Sequence, residues 1–167
     1  TGATLITAVD SAAINAGSGD ISVTEDDAIA LNNIVTTSTN TTAVAVTSTA
    51  GGISSNESTS IQANSGEIAL TAASDIDVNT SGGATFNSLS DGVAITIDAN
   101  TNSVTFTDAV GGGDDVLTVD DLDVQNATNL TTGADAITVT SGDLTLSASG
   151  SLTVAGALTA TDHVTLQ

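Results

Sequence analysis

Lysine and arginine are absent from this chain of 167 residues, which carries 20 acids and one histidine for a formal net charge of −20. That excludes partners whose recognition depends on cationic side chains, nucleic acid and anionic membrane surfaces above all. Ion pairs to Lys or Arg cannot form, so the acids have to spread over the solvent face, be screened by salt or be neutralised by bound cations. Cysteine is absent too; disulfides contribute nothing, and cysteine usage leaves the compartment open. There is no Pro, Trp or Tyr, and the only aromatics are Phe86 and Phe106. A β-sandwich core usually rests on Trp or Tyr, with turns that use Pro, so this composition argues against one. No apolar run approaches the ~20 residues of a transmembrane helix and no basic–apolar signal segment opens the chain, so no membrane insertion is expected. The sequence starts at Thr1 and holds no Met, which reads as a processed or excised piece of a longer protein.

What is present is small, β-branched and repetitive. Apolar residues make up 40% of the chain, nearly all Ala, Val, Ile and Leu, a supply suited to narrow stacked layers. A mean hydropathy of +0.27 and alternating Val and Ile speak against the disorder that high net charge raises. A five-residue cassette keeps returning: a turn residue, an acid or polar residue, then apolar–polar–apolar. It reads Gly19-Asp20-Ile21-Ser22-Val23, Gly66-Glu67-Ile68-Ala69-Leu70, Ser74-Asp75-Ile76-Asp77-Val78, Gly142-Asp143-Leu144-Thr145-Leu146 and Gly150-Ser151-Leu152-Thr153-Val154. Each copy is a short strand with period-two alternation. Such strands bury too little alone and must stack on others of their kind.

Strand centres fall near Ser22, Ala45, Ala69, Asp77, Thr96, Thr105, Thr118, Asp123, Thr138, Thr145, Thr153 and Thr165. Weaker ones lie at residues 29–31, Ile53, Ile61 and residues 157–158, with Gly, Asn, Asp and Ser between. No stretch carries a helical period, so essentially no α-helix is expected. Three strands per coil give coils of roughly 20–25 residues and about seven coils in all. Loops are expected to bulge between Thr24 and Ala43 and around Gly111–Asp115. A β-barrel or meander is the alternative, but hairpins favour Asn-Gly or Asp-Gly turns, and only Asp91-Gly92 fits.

Residues 65–79 (SGEIALTAASDIDVN) and 141–156 (SGDLTLSASGSLTVAG) resemble the repeats of filamentous-haemagglutinin-like bacterial surface proteins, and residues 103–112 (SVTFTDAVGG) resemble giant repeat adhesins. The likeness covers residues 60–167 well and the first third loosely. It implies a right-handed parallel β-helix, exported to the cell surface and acting as a fibre or adhesin stalk.

The densest acidic cluster spans residues 111–123, with Asp114, Asp115, Asp120, Asp121 and Asp123. Clustered carboxylates with turn carbonyls can supply the six to eight oxygens Ca²⁺ wants, so these five are the candidate calcium ligands. The plainer reading is a solvated acidic loop beside a strand, and Asp26-Asp27 is a weaker second place. The run approaches the calcium-binding glycine-rich nonapeptide, but Asp114 stands where that pattern has Gly. Catalysis would need carboxylates in convergent pairs, and neighbours on a strand point to opposite faces. His163 is the only imidazole, and its plainer reading is an exposed strand-edge residue. Thr-x-Thr triplets at 37–39, 47–49, 105–107, 138–140 and 159–161 raise an ice-binding face, which would need constant coil length. Their spacings are uneven.

The expectation is therefore an all-β protein, one parallel β-solenoid over residues 1–167. It would be a fragment or repeat unit of a longer or polymerising protein, extracellular or at the cell surface. Its function would be that of a stiff fibre or stalk element, without catalytic or cofactor-binding residues and with no cofactor required. Its partner would be itself, end to end, or the continuing solenoid of its parent chain. A calcium-dependent adhesin that binds a glycan or protein receptor is the alternative; an ice-binding solenoid or a polysaccharide-active enzyme stands behind that.

Overall fold

Side chains in residues 21–25 alternate strictly: Ile21, Val23 and Glu25 are buried, Ser22 and Thr24 half-buried. The pattern returns in residues 67–72, where Ile68, Leu70 and Ala72 face inward. Each such segment is a strand with one wet and one dry face. The computed structural model describes residues 3–7, 10–38, 40–56, 59–63, 67–79, 85–88, 95–107, 116–119, 122–140 and 142–167. Among them there is no α-helix, and 18 strands form one sheet system. In chain order these are β1 (Ala3–Thr7), β2 (Ser11–Asn15), β3 (Ile21–Glu25), β4 (Ile29–Val35), β5 (Thr42–Ser48), β6 (Ile53–Ser55), β7 (Ser60–Ala63), β8 (Glu67–Ala72) and β9 (Ile76–Asn79). There follow β10 (Thr85–Ser88), β11 (Ile95–Asp98), β12 (Ser103–Thr107), β13 (Val116–Val119), β14 (Leu122–Thr132), β15 (Ala136–Val139), β16 (Leu144–Thr153), β17 (Leu158–Thr159) and β18 (Val164–Leu166).

All strand pairings are parallel, and strands pair with the strand one coil on. Ladder by ladder, the chain resolves into a three-sided β-solenoid. The first ladder stacks β1, β3, β5, β8, β11, the first half of β14, the first half of β16, and β18. Its rungs register Ala3, Ile21, Val44, Ile68, Ile95, Leu122, Leu144 and Val164 in one rank, so successive steps are 18, 23, 24, 27, 27, 22 and 20 residues. At ~4.8 Å per step the stack is about 34 Å long. The second ladder runs through β2, β4, β6, β9, β12 and the second halves of β14 and β16. The third holds the ends of β2 and β4, then β7, β10, β13, β15 and β17.

Between the three ladders runs a dry core of like-on-like ranks. Ile21, Val44, Ile68, Leu122 and Leu144 form one, and Val23, Val46, Leu70, Ile97, Val124 and Leu146 the next; none exceeds 1% exposure. Each such side chain contributes about 1.5–3 kcal/mol by burial. Phe106 is also buried, in a second-ladder rank between Val78 and Thr132.

Corners are held by side chains reaching one coil along. Asn56 Nδ2 donates to Asn32 Oδ1 at 2.5 Å, Asn33 Oδ1 accepts from Ser60 N at 3.1 Å, and Ser151 Oγ donates to Asn129 Oδ1 at 2.8 Å. Coils approach most closely at Gly51, where a Cβ would lie 2.3 Å from the backbone of Asp27 and Ala28. The bulge expected between Thr24 and Ala43 is corrected in part: Thr36 and Ser38 are buried. Thr36 Oγ1 is bonded to the carbonyls of Gly17 and Gly19 at 2.9 and 2.5 Å, which folds the connection against the preceding coil. The other expected bulge, around residues 111–115, lies outside the described residues.

Candidate functional site: the open terminal coil

One rung separates a dry core from solvent. Leu144 and Leu146 are fully buried, while Val164 and Leu166, stacked on them in β18, are 43% and 49% exposed. In the second ladder Val154 is 40% exposed at the end of its strand, one position beyond the Thr131–Thr153 pairing. These three are the exposed large hydrophobic side chains among the described residues, and all lie in the last coil. They continue inward-facing ranks rather than decorate an outer face. Leu152, Leu158 and Ala160 extend the second and third ladders and stay only half-buried. The end is therefore an apolar patch rimmed, among the described residues, by the unpaired edges of β17, β18 and the second half of β16.

The turn entering β18 is fixed by polar contacts. Asp143 Oδ1 accepts from His163 N at 3.0 Å and lies 2.9 Å from His163 Nδ1. Both side chains are largely exposed, so this contact orients the last strand and adds little energy. Gly156 fits only without a Cβ, which would lie 2.0 Å from the Asp135 carbonyl oxygen.

No protein-family model, curated protein or solved structure matches the chain. The architecture stands on its own geometry, and that geometry is compatible with solenoid adhesins.

Of the candidate calcium ligands, Asp114, Asp115, Asp120 and Asp121 lie outside the described residues. Asp123 sits in β14 between Thr96 of β11 and Thr145 of β16, facing outward and half-buried. That burial raises its carboxyl above the ordinary aspartate value. Among the described residues no group of three or more His, Asp or Glu side chains is placed to hold a metal ion. Asp26 and Asp27 are exposed in the turn between β3 and β4. No helix of the described residues is long and apolar enough to cross a membrane.

The threonine triplets do not share a face. Thr47 lies in the first ladder, Thr105 in the second, and Thr138 and Thr159 are paired in the third. Two further features were not singled out from the sequence. Glu25 is fully buried, its Oε1 accepting from Asp26 N at 3.2 Å; the alternation Ile21-x-Val23-x-Glu25 already carried that signal. Asp20 Oδ1 accepts from the Ser38 hydroxyl, and Asn40 Nδ2 donates to Oδ1 and Oδ2 at 3.0 and 2.8 Å. The Ser38 bond first, then the Asn40 bonds, hold its carboxyl below the usual range.

Proposed function

We propose that this chain is an extracellular structural element of the filamentous-haemagglutinin-like kind, a stiff rod whose open end is covered by another parallel coil. The observation that carries the reading is the exposure of Val154, Val164 and Leu166 in ranks that are dry one rung below. Uncovered, those ranks expose apolar surface at about 25 cal/mol per Å². A further coil would bury them and pair the free strand edges at once. That coil would be either the next one of the same polypeptide or part of a second copy added along the axis. Stacking along an axis without rotation to closure gives open filaments rather than rings.

Mechanical work suits the rest of the molecule. Stiffness comes from continuous core ranks and from corner side chains bonded between coils. A chain with no Lys or Arg offers trypsin-like proteases no cleavage site, and 20 like charges discourage sideways aggregation. Both properties serve a fibre outside the cell. We therefore read the protein as non-catalytic, acting without a required cofactor.

Sedimentation velocity over a concentration series tests the reading. The wild type should form long species whose size grows with concentration, and Val164→Asp with Leu166→Asp should abolish them while leaving the fold intact. Monodisperse wild-type monomers across the series would count against end-to-end association.

A second reading, a calcium-dependent adhesin, rests on the run of acids from Asp114 to Asp123 in the sequence. It expects a reversible thermal stabilisation by Ca²⁺ that Mg²⁺ does not give. Equal response to both ions would dismiss it.

A further inference from the structure

Glu25 stands out of pattern in the core. It closes β3 on an inward position and is 0% exposed. In the coils that follow, the same rank holds Ser48, then Ala72, then Ala99 one position past the Thr71–Asp98 pairing, all buried and all small. A carboxyl in this rank sits away from water, at the corner between β3 and β4. Both neighbouring coils close that corner. Thr49 N donates to Glu25 O at 2.8 Å, Ile29 N to Gly52 O at 3.0 Å and Ala30 N to Asp10 O at 2.9 Å. Ser48 Oγ donates to Asp27 O at 2.5 Å and accepts from Gly51 N at 3.1 Å. For the Glu25 carboxyl to meet water, residues 26–28 have to swing outward against these bonds.

The charges around it carry one sign. The titratable groups at this corner are Asp10, ahead of β2, and Asp26 and Asp27, in the turn itself, all of them exposed acids. Asp75 lies past Gly52, two coils on, and Asp20 and Glu67 stand at the far ends of β3 and β8. β1, β2, β4, β5 and β6 hold no titratable residue. The chain has no Lys or Arg, and its one histidine, His163, precedes β18, six rungs along the first ladder. Burial and like charge both disfavour an ionised carboxyl. The bond from Asp26 N to Glu25 Oε1, 3.2 Å, serves either form, because a neutral carboxyl accepts as well as donates.

We infer that Glu25 is a proton-operated latch: the closed corner holds its carboxyl neutral, and loss of that proton opens the corner between β3 and β4. An ionised Glu25 gains its hydration only outside the core, and the way out is the swing of residues 26–28, which unclasps the second coil from the third. The sign follows from linkage. A carboxyl kept neutral by folding contributes its full stability below the unfolded glutamate value of about 4.3 and loses it as pH climbs through the folded value. The rod is therefore tightest in acid and loosens first at this corner as pH rises. Repulsion among the other acids acts in the same direction but is spread over all coils, whereas the latch is confined to one. The inference does not depend on end-to-end assembly, since Glu25 lies between coils of this chain; either can fail while the other stands.

The test is a pH titration by NMR of the full chain labelled with ¹³C at the glutamate carboxyls. The sequence holds three glutamates, Glu25, Glu57 and Glu67, so Glu57→Gln and Glu67→Gln assign the signals without touching Glu25. The Glu25 signal should titrate with a midpoint well above about 4.3; a midpoint at or below that value overturns the inference. Opening is read by amide hydrogen exchange. Above the midpoint the Ile29 and Thr49 amides should exchange at least about tenfold faster in the wild type than in Glu25→Gln, whose side chain cannot ionise, and below it at equal rates. The Leu122 amide, four rungs along the first ladder, should exchange alike in both. Equal exchange at Ile29 and Thr49 at every pH, or an equal difference at Leu122, overturns the latch. If Glu25→Gln does not fold, the wild-type carboxyl titration decides alone.

Discussion

Asp123 shows how one residue can pull against its own strand. It occupies an outward position in the first ladder that Thr fills in the coils on either side, Thr96 and Thr145. Partial burial raises its carboxyl above the usual range, so the folded state favours the protonated form. A group whose folded value is raised contributes stability below its unfolded pKa and loses that contribution as pH climbs through the folded value. Asp123→Asn should therefore raise Tm at neutral pH, with the gain shrinking to nothing in acid below the ordinary aspartate range. A gain that persists unchanged in acid would mean the effect is packing rather than charge. Asp20 runs the other way. Its lowered carboxyl contributes stability above the unfolded value and loses it as pH falls through the folded one. Asn40→Ala should thus lower Tm at neutral pH, with the loss shrinking to nothing in acid below the folded value, as read by thermal melts from pH 7 to pH 2.

At the scale of the strand, period-two alternation was enough to place most elements. The twelve centres from Ser22 to Thr165 all fall in strands, because each lies between two apolar residues at alternate positions. The weaker candidates at residues 29–31, Ile53 and Ile61 became β4, β6 and β7. What alternation could not reveal is where a strand bends through a corner. β14 continues to Thr132 although its second half offers one large apolar residue, Leu130; its partner position is the buried hydroxyl of Thr132. The register of neighbouring coils supplies the reason, and that is information between coils rather than within one. The same holds for Gly51, whose need for hydrogen in place of Cβ comes from Asp27 and Ala28 one coil below. Gly51→Ala should destabilise by about 1–3 kcal/mol, as overpacked sites do, while Ala50→Ser next to it, exposed, should stay within about 0.5 kcal/mol. Chemical denaturation of the two variants decides this; equal effects would contradict the close approach of the coils.

The whole molecule is a thin rod with charge of one sign. At about 0.01 M salt the Debye length is near 30 Å and the carboxylates of most coils repel one another; at 0.15 M it is about 8 Å and only neighbours do. Tm should rise steadily with NaCl over that interval, and indifference to salt would show that the acids lie too far apart to matter. Composition made the polyanion and the solenoid legible, but not the apolar end. Val164 and Leu166 read in sequence like every other alternating pair, and only their exposure beside the buried Leu144 and Leu146 sets them apart.

Electron microscopy of the isolated chain at high and low concentration tests the central claim most directly. Capping of the dry ranks by a second copy of the chain predicts unbranched filaments one rod wide, with an axial repeat close to the rod's own length of about 34 Å. Those filaments should be lost when Val164 and Leu166 are replaced by Asp. Separate short rods at every concentration, unchanged by those substitutions, would contradict it.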